Sequence, residues 1–250
     1  MSPVLLALLA GAVVGLALGG MGGGGSLLAV PALVHLLGFA PVEATTASLV
    51  IVAITTATSL AAHGRDGNVR WRPGLLFAAT GLLPAALGGL LAARLPAALL
   101  TAAFSVLAAV AAAGMLRTRD DTPRTGSTSI ARAAGAGAGL GAVTGLLGVG
   151  GGFLGVPALV RVVGLPVRAA VGTSLLVIAL TSTASLAARG GTLSSLDWAV
   201  VGPFTAAAVL GAWDGRRLAA RISGRVLQRV FGAVLLTVAA LMLLDALVPR

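Results

Sequence analysis

The sequence predicts an all-α, polytopic integral membrane protein made of two inverted-topology repeats. Each repeat is expected to hold a Gly-interrupted short or re-entrant helix pair and three spanning helices. Three observations carry this: a composition almost free of charge, an internal repeat at a fixed offset, and basic loops that swap places between the repeats. Of 250 residues, 58% are apolar and only 10% are charged, with 36 Gly besides. An ordinary soluble domain carries about 25% charged residues. The mean hydropathy is +1.04. So few charges cannot clothe a soluble domain of this length, which excludes a cytosolic enzyme, a disordered chain and a secreted disulfide scaffold. The absence of Cys removes disulfides and thiolate metal sites. The net charge of +10 comes from 17 Arg and no Lys, with only three Trp and six Phe available for stacking. The basic residues lie between long apolar runs, so they are assigned to the faces of a bilayer and not to nucleic acid.

A bilayer core is about 30 Å thick and needs about 20 apolar residues per spanning helix. Apolar segments are expected near 3–19, 25–38, 42–62, 73–93 and 97–116. The polar stretch from Arg117 to Arg132, with Asp120, Asp121, Pro123 and Arg124, is the only one that resembles a linker. Five more segments follow near 133–149, 151–163, 168–188, 198–214 and 223–247. The expected organisation is a first repeat at 1–117, a linker at 118–132 and a second repeat at 133–250. The first segment is expected to be a structural element and not a cleaved signal, because no basic residue precedes it and its equivalent recurs mid-chain.

Pro31-Ala32-Leu33-Val34 recurs 126 positions later as Pro157-Ala158-Leu159-Val160. The same offset pairs Gly15 with Gly141, Gly19 with Gly145, Gly38 with Gly164, and Ser48 with Ser174. With one inserted residue, Trp71 matches Trp198. Gly, Pro, Ser and Trp in one register indicate duplication. Charge then orients the copies. Arg65, Arg70 and Arg72 follow the third segment, where the second half has only Arg189. Arg94 stands alone before the fifth segment, where the second half has Arg216, Arg217, Arg221, Arg225 and Arg229. Because cytoplasmic loops hold the Arg excess, the halves are expected to face opposite ways in a cell (inner) membrane. The linker then lies in the cytoplasm, both termini outside, and Arg94, Arg189 and Arg250 outside. Inverted repeats with short, Gly-interrupted segments are the architecture of secondary transporters, and the short segments point to the binding site.

The glycine runs are Gly22-Gly23-Gly24-Gly25-Ser26 and Gly148-Val149-Gly150-Gly151-Gly152. Each precedes a short helix, whose first turn carries free N–H donors and partial positive charge and can hold an anion. The candidate substrate-binding residues here are Gly23, Gly24, Gly25 and Ser26, with Gly150, Gly151 and Gly152. Gly11, Gly15 and Gly19, like Gly137, Gly141 and Gly145, are spaced by four and are assigned to close helix packing. A hydroxyl stripe adds Ser48 and Ser59, with Thr173, Ser174 and Ser185 in the equivalent segment, as possible donors to an oxyanion. The competing reading is bonding between helices or back to the i−4 carbonyl.

Other motifs are weaker. Gly150 to Gly155 fits G-x-G-x-x-G, but no βαβ context surrounds it. Without Lys there is no Walker A. His35 and His63 have no partner at metal-ligand spacing. No cofactor is implied. An intramembrane hydrolase built on Ser59 and His63 is disfavoured because the equivalent of His63 is Arg189. Asp214 is followed by Arg216 and Arg217, which suggests a neutralised interfacial pair. The other acidic residues fall at segment ends or in loops, so no buried proton relay is evident.

The pattern at 141–153, Gly-x-x-x-Gly-x-x-Gly-Val-Gly-Gly-Gly-Phe, leads into Pro157-Ala158-Leu159. Gly164, Ala170-Val171-Gly172-Thr173-Ser174-Leu175, Gly190 and Asp197-Trp198 follow. This arrangement resembles the sulfite exporter TauE/SafE family of membrane transporters over nearly the whole chain. Ser26 stands where the second half has Gly152, and Ala44-Thr45-Thr46-Ala47-Ser48 replaces the Val-Gly-Thr-Ser form. The resemblance implies export of small inorganic or organosulfur anions such as sulfite or organosulfonates. The expected activity is secondary transport by alternating access, with the lipid bilayer and a small anion as partners and no nucleic acid. The alternatives are an anion channel on the same scaffold or an intramembrane Ser hydrolase. A homo-oligomer stays open at this stage.

Overall fold

The computed structural model describes residues 2–21, 26–92, 94–117, 130–147, 152–189, 193–194, 196–219 and isolated positions between 226 and 243. Every regular element among them is helical. They are α1 (Pro3–Met21), α2 (Ser26–Pro31), α3 (Pro41–Arg65), α4 (Trp71–Ala92), α5 (Ala97–Arg117), α6 (Ile130–Leu147), α7 (Gly152–Arg161), α8 (Val167–Ala188) and α9 (Trp198–Ala219). Among the described residues, four helices are long and apolar enough to cross a membrane: Pro3–Gly20, Pro41–Arg65, Trp71–Ala92 and Arg168–Ala188. The chain is a polytopic membrane protein. The tenth expected segment, 223–247, falls mostly outside the described residues, with helical positions such as Val226, Ala233 and Ala239 along it.

Helix starts follow local chemistry. Pro3 and Pro41 stand in first turns, where a missing N–H costs nothing. The Ser2 hydroxyl accepts the Leu5 N–H at 3.3 Å, and the Asp197 carboxylate accepts the Ala199 N–H at 3.0 Å. In α3, Glu43 occupies the first turn and His63 and Arg65 the last, matching the helix dipole at both ends. α9 runs through the Asp214–Arg217 pair, whose atoms lie 3.7 Å apart on an exposed face.

The two short helices are shorter than a bilayer. α2 continues through a widened π-type turn at Ala32–Leu36, just after Pro31 removes one N–H from the ladder. α7 has 10 residues. Each reaches only about 15 Å at 1.5 Å per residue. Both end in one device: Gly38 at φ 72 and Gly164 at φ 74. The following N–H then turns back, Phe39 to the Leu33 carbonyl at 3.0 Å and Leu165 to the Leu159 carbonyl at 3.1 Å. Left-handed φ costs an L-residue about 1–2 kcal/mol. Gly38→Ala or Gly164→Ala should therefore lower stability by about 1 kcal/mol each. Thermal unfolding in detergent measures this, although nothing lies near enough to Gly38 to clash with a methyl group.

Helix pairing is reciprocal. α1 lies parallel to α9, with Gly11, Gly15 and Gly19 against the backbones of Phe204, Ala208 and Ala212. α6 lies parallel to α4, with Gly137, Gly141 and Gly145 against Phe77, Gly81 and Ala85. The second set is the first shifted by the repeat offset, with the partners exchanged. At these glycines a Cβ would fall inside a neighbour's backbone, so only hydrogen fits. The buried clusters follow the exchange. One joins α1, α2, α3 and α5 with α9, around Leu27, Ile51, Phe104 and Phe204. The other joins α6, α7 and α8 with α4, around Phe77, Leu140, Leu159 and Val177.

α3 and α8 run antiparallel through the middle. Thr45 near the start of α3 meets Arg189 at the end of α8. Arg70, beyond the end of α3, meets Thr173 near the start of α8.

Candidate functional site

The α3–α8 seam gathers polar groups in an otherwise apolar protein. Thr45, Thr46, Ser48, Thr55 and Thr56 are buried on α3; Thr173, Ser174, Thr181, Ser182 and Ser185 are buried on α8. Most satisfy themselves locally. Thr55 and Thr56 donate to the Ile51 and Val52 carbonyls at 2.6 Å, and Thr181 donates to the Val177 carbonyl at 2.9 Å. This is ordinary i−4 back-bonding. Two hydroxyls, Ser48 Oγ and Ser182 Oγ, are buried with no hydrogen-bond partner among the described residues. A buried hydroxyl without a partner costs about 1–3 kcal/mol, so each marks a place where an acceptor or a ligand would be favourable.

The sequence-predicted site residues divide as follows. Gly23, Gly24, Gly25, Gly150 and Gly151 lie outside the described residues. Ser26 opens α2 and is fully buried; Gly152 opens α7. α2 and α7 touch each other, α2 also packs on α3, and α7 on α8. The two short helices and the central seam therefore form one contiguous region containing Ser26, Ser48 and Ser174. Ser174 donates to the Val171 carbonyl at 2.8 Å and lies against Gly155 of α7. Thr173 accepts the Arg70 N–H at 3.0 Å. Ser185 donates across to the Ala85 carbonyl of α4 at 3.0 Å and to Thr181 at 2.9 Å. Ser59 is half-buried further along α3. His63 Nδ1 lies 3.0 Å from the Ser59 carbonyl oxygen, so the ring is engaged by the backbone and not by the Ser59 hydroxyl that a hydrolase would use.

One residue escaped the sequence reading. Arg189, expected in an outer loop, is buried at 4% exposure. Its Nη1 donates to Thr45 Oγ1 at 2.7 Å and Thr46 Oγ1 at 3.3 Å. Its Nη2 donates to the Gly145 carbonyl and, at 3.3 Å, to the Leu146 carbonyl in the last turn of α6. Thr45 also lines a small pocket between α2, α3, α5 and the end of α6, together with Val30, Pro41, Thr101, Phe104 and Leu147. The signal available in sequence was the basic character shared by Arg189 and its equivalent, His63. A lone Arg after an apolar run does not reveal that two other helices close over it.

Chemically, the region offers hydroxyl donors, a buried guanidinium and two short helix starts within an apolar body. It gathers no group of three or more His, Cys, Asp or Glu able to hold a metal among the described residues. Residues 7–242 match the family described as Sulfite exporter TauE/SafE. Two relatives, each named "Probable membrane transporter protein", come from Xylella fastidiosa strains Temecula1 and 9a5c. Each is 34% identical over 248 residues, covering 92% of this chain and 90% of the relative. No solved structure matches. With a family match across almost its whole length and a helical body of membrane-spanning dimensions, the chain belongs to the sulfite exporter TauE/SafE family of multi-pass membrane transporters, a transporter family and not an enzyme family.

Proposed function

We propose that the chain is a secondary transporter that exports small oxyanions, sulfite or organosulfonates, by alternating access between two inverted repeats at 1–117 and 133–250. The observation that carries the repeat reading is the antiparallel pairing of α3 with its equivalent α8. If equivalent helices run opposite ways, the copies are inverted. Parallel α1–α9 and α4–α6 pairs fit that arrangement: each first helix lies beside the fourth helix of the other copy. Parallel copies would require α3 and α8 to run the same way. The Arg distribution supports a linker in the cytoplasm and both termini outside.

The proposed site lies where the short helices meet the seam. The glycine-run amides, Ser26 and the Ser48 hydroxyl would hold the anion, with Ser174 and Gly152 as the second repeat's contribution. The unsatisfied Ser48 Oγ supports a donor role better than any back-bonded threonine does. Outward movement is favourable without ATP. A potential of about 100 mV, inside negative, contributes roughly 2.3 kcal/mol per charge moved, and about twice that for a dianion.

Purified protein in proteoliposomes should give saturable sulfite or sulfonate flux with counterflow. Large single-channel currents in planar bilayers would instead favour an anion channel, and no flux with any small oxyanion would end the transport reading. Ser185, bonded between α8 and α4, is read as a packing residue. Ser185→Ala should lower stability by about 1 kcal/mol and leave flux per folded molecule unchanged; a selective loss of flux would return it to the site.

A further inference from the structure

We propose that Arg189 is a latch that holds the outer end of the α3–α8 seam shut and that the transported oxyanion releases. The assignment of this end to the outer face, and of an oxyanion as cargo, rests on the reading above; the latch itself rests on geometry. One side chain at the end of α8 ties down two other helices. It bonds Thr45 and Thr46 in the first turns of α3, and the Gly145 and Leu146 carbonyls that close α6. Those carbonyls are the negative end of α6, a favourable partner for a cation. Just beyond them the chain passes into its second glycine run.

The opposite end of the seam is closed by different chemistry. The position equivalent to Arg189 is His63, whose ring nitrogen contacts the carbonyl of Ser59 in its own helix. There, α3 and α8 are joined through backbone: the Arg70 N–H on Thr173 Oγ1, and Gly172 packed on the Asn68 carbonyl. Among the described residues, only the Arg189 end is held by a long side chain that a change of rotamer can withdraw. Thr45, one of its acceptors, also faces the small pocket beside Leu147. An oxyanion arriving there is a stronger, bidentate partner for a guanidinium than hydroxyls or carbonyls. Cargo can therefore compete for the side chain that closes its own route, and shift the population toward an open end.

The chain lacks Cys, so single-cysteine reporters can be placed in an otherwise native protein. Leu147→Cys reports on the latch end and Asn68→Cys on the other. Arg189→Gln should raise labelling of Leu147→Cys by a membrane-impermeant maleimide about tenfold. Asn68→Cys should stay unchanged, and Arg189→Lys should fall between. Added methanesulfonate, a sulfonate that does not react with maleimide, should raise labelling at 147 in the protein with Arg189 and not in Arg189→Gln. Should Arg189→Gln fail to fold, the double variant Thr45→Val, Thr46→Val removes two acceptors at constant size and should raise labelling in the same direction. Unchanged labelling at 147 in folded variants, or an equal rise at both reporters, would overturn the latch. Labelling at 147 from the cytoplasmic side alone would sink the orientation and leave the latch standing. Absent sulfite flux with an intact labelling response would sink the substrate reading only.

Discussion

Gly141→Val should strip the protein of much of its stability, while Gly139→Ala one turn-face away should leave it intact. At Gly141 a Cβ would penetrate the Gly81 backbone, and at Gly81 a Cβ would sit 2.7 Å from the Gly137 carbonyl oxygen. Neither side can yield, because each neighbour is main chain. The two helices would have to separate along a contact that also includes Gly137, Gly145 and Gly88. Overpacking typically costs 1–3 kcal/mol, and a backbone-on-backbone clash belongs at about 3 kcal/mol or more. Gly139 has nothing near its missing Cβ, so alanine there gains helix propensity and meets no obstacle. Gly15→Val should reproduce the loss on the α1–α9 contact, where the Ala208 backbone stands in the way. Thermal unfolding in a mild detergent separates the cases. If Gly141→Val and Gly139→Ala melted together, close approach of α6 to α4 would be disproved.

Gly24→Leu and Gly151→Leu should each abolish most transport in protein that still folds. Anion binding by main-chain amides needs nothing wider than hydrogen on the residue presenting them. Hydrogen bonds to a charged group contribute about 1.5–3 kcal/mol each. Covering one or two should reduce flux at least about tenfold, since 1.4 kcal/mol is a factor of ten. Ser48→Ala, which removes one hydroxyl donor and leaves the amides bare, should reduce it less, by about fivefold. Ser48→Ala should also raise stability slightly, because it removes a buried hydroxyl that has no partner among the described residues. Undiminished sulfite flux in both leucine variants would remove the amides from the site, and a destabilised Ser48→Ala would mean that its hydroxyl serves packing.

Much of the fold could be read directly because lipid permits so few solutions. The segment expected at 25–38 is Ser26–Leu36, and that at 151–163 begins as Gly152–Arg161. The segment expected to stop at 214 continues to Ala219, since Asp214 and Arg217 pair one turn apart on an exposed helix face. The four-residue glycine spacing indicated that backbones touch, but not which ones. The partner of α1 lies nearly the full length of the chain away, and no local pattern encodes that distance. Hydroxyl spacing likewise could not separate Thr55, which bonds its own helix, from Ser48, which does not, because a rotamer decides. Arg189 was hidden for the same reason: its burial belongs to α3 and α6, not to its neighbours in sequence.

The reciprocal exchange of α4 and α9 dictates how the protein is made. A ribosome delivers α4 while α6, the helix it must close against, is still untranslated, and α1 waits for α9 until nearly the end of synthesis. α1 and α4 thus each enter the bilayer with a glycine-lined face turned to lipid or the insertion machinery. Final assembly is a late, concerted event, and a chain truncated after the linker leaves α1 and α4 without their mates.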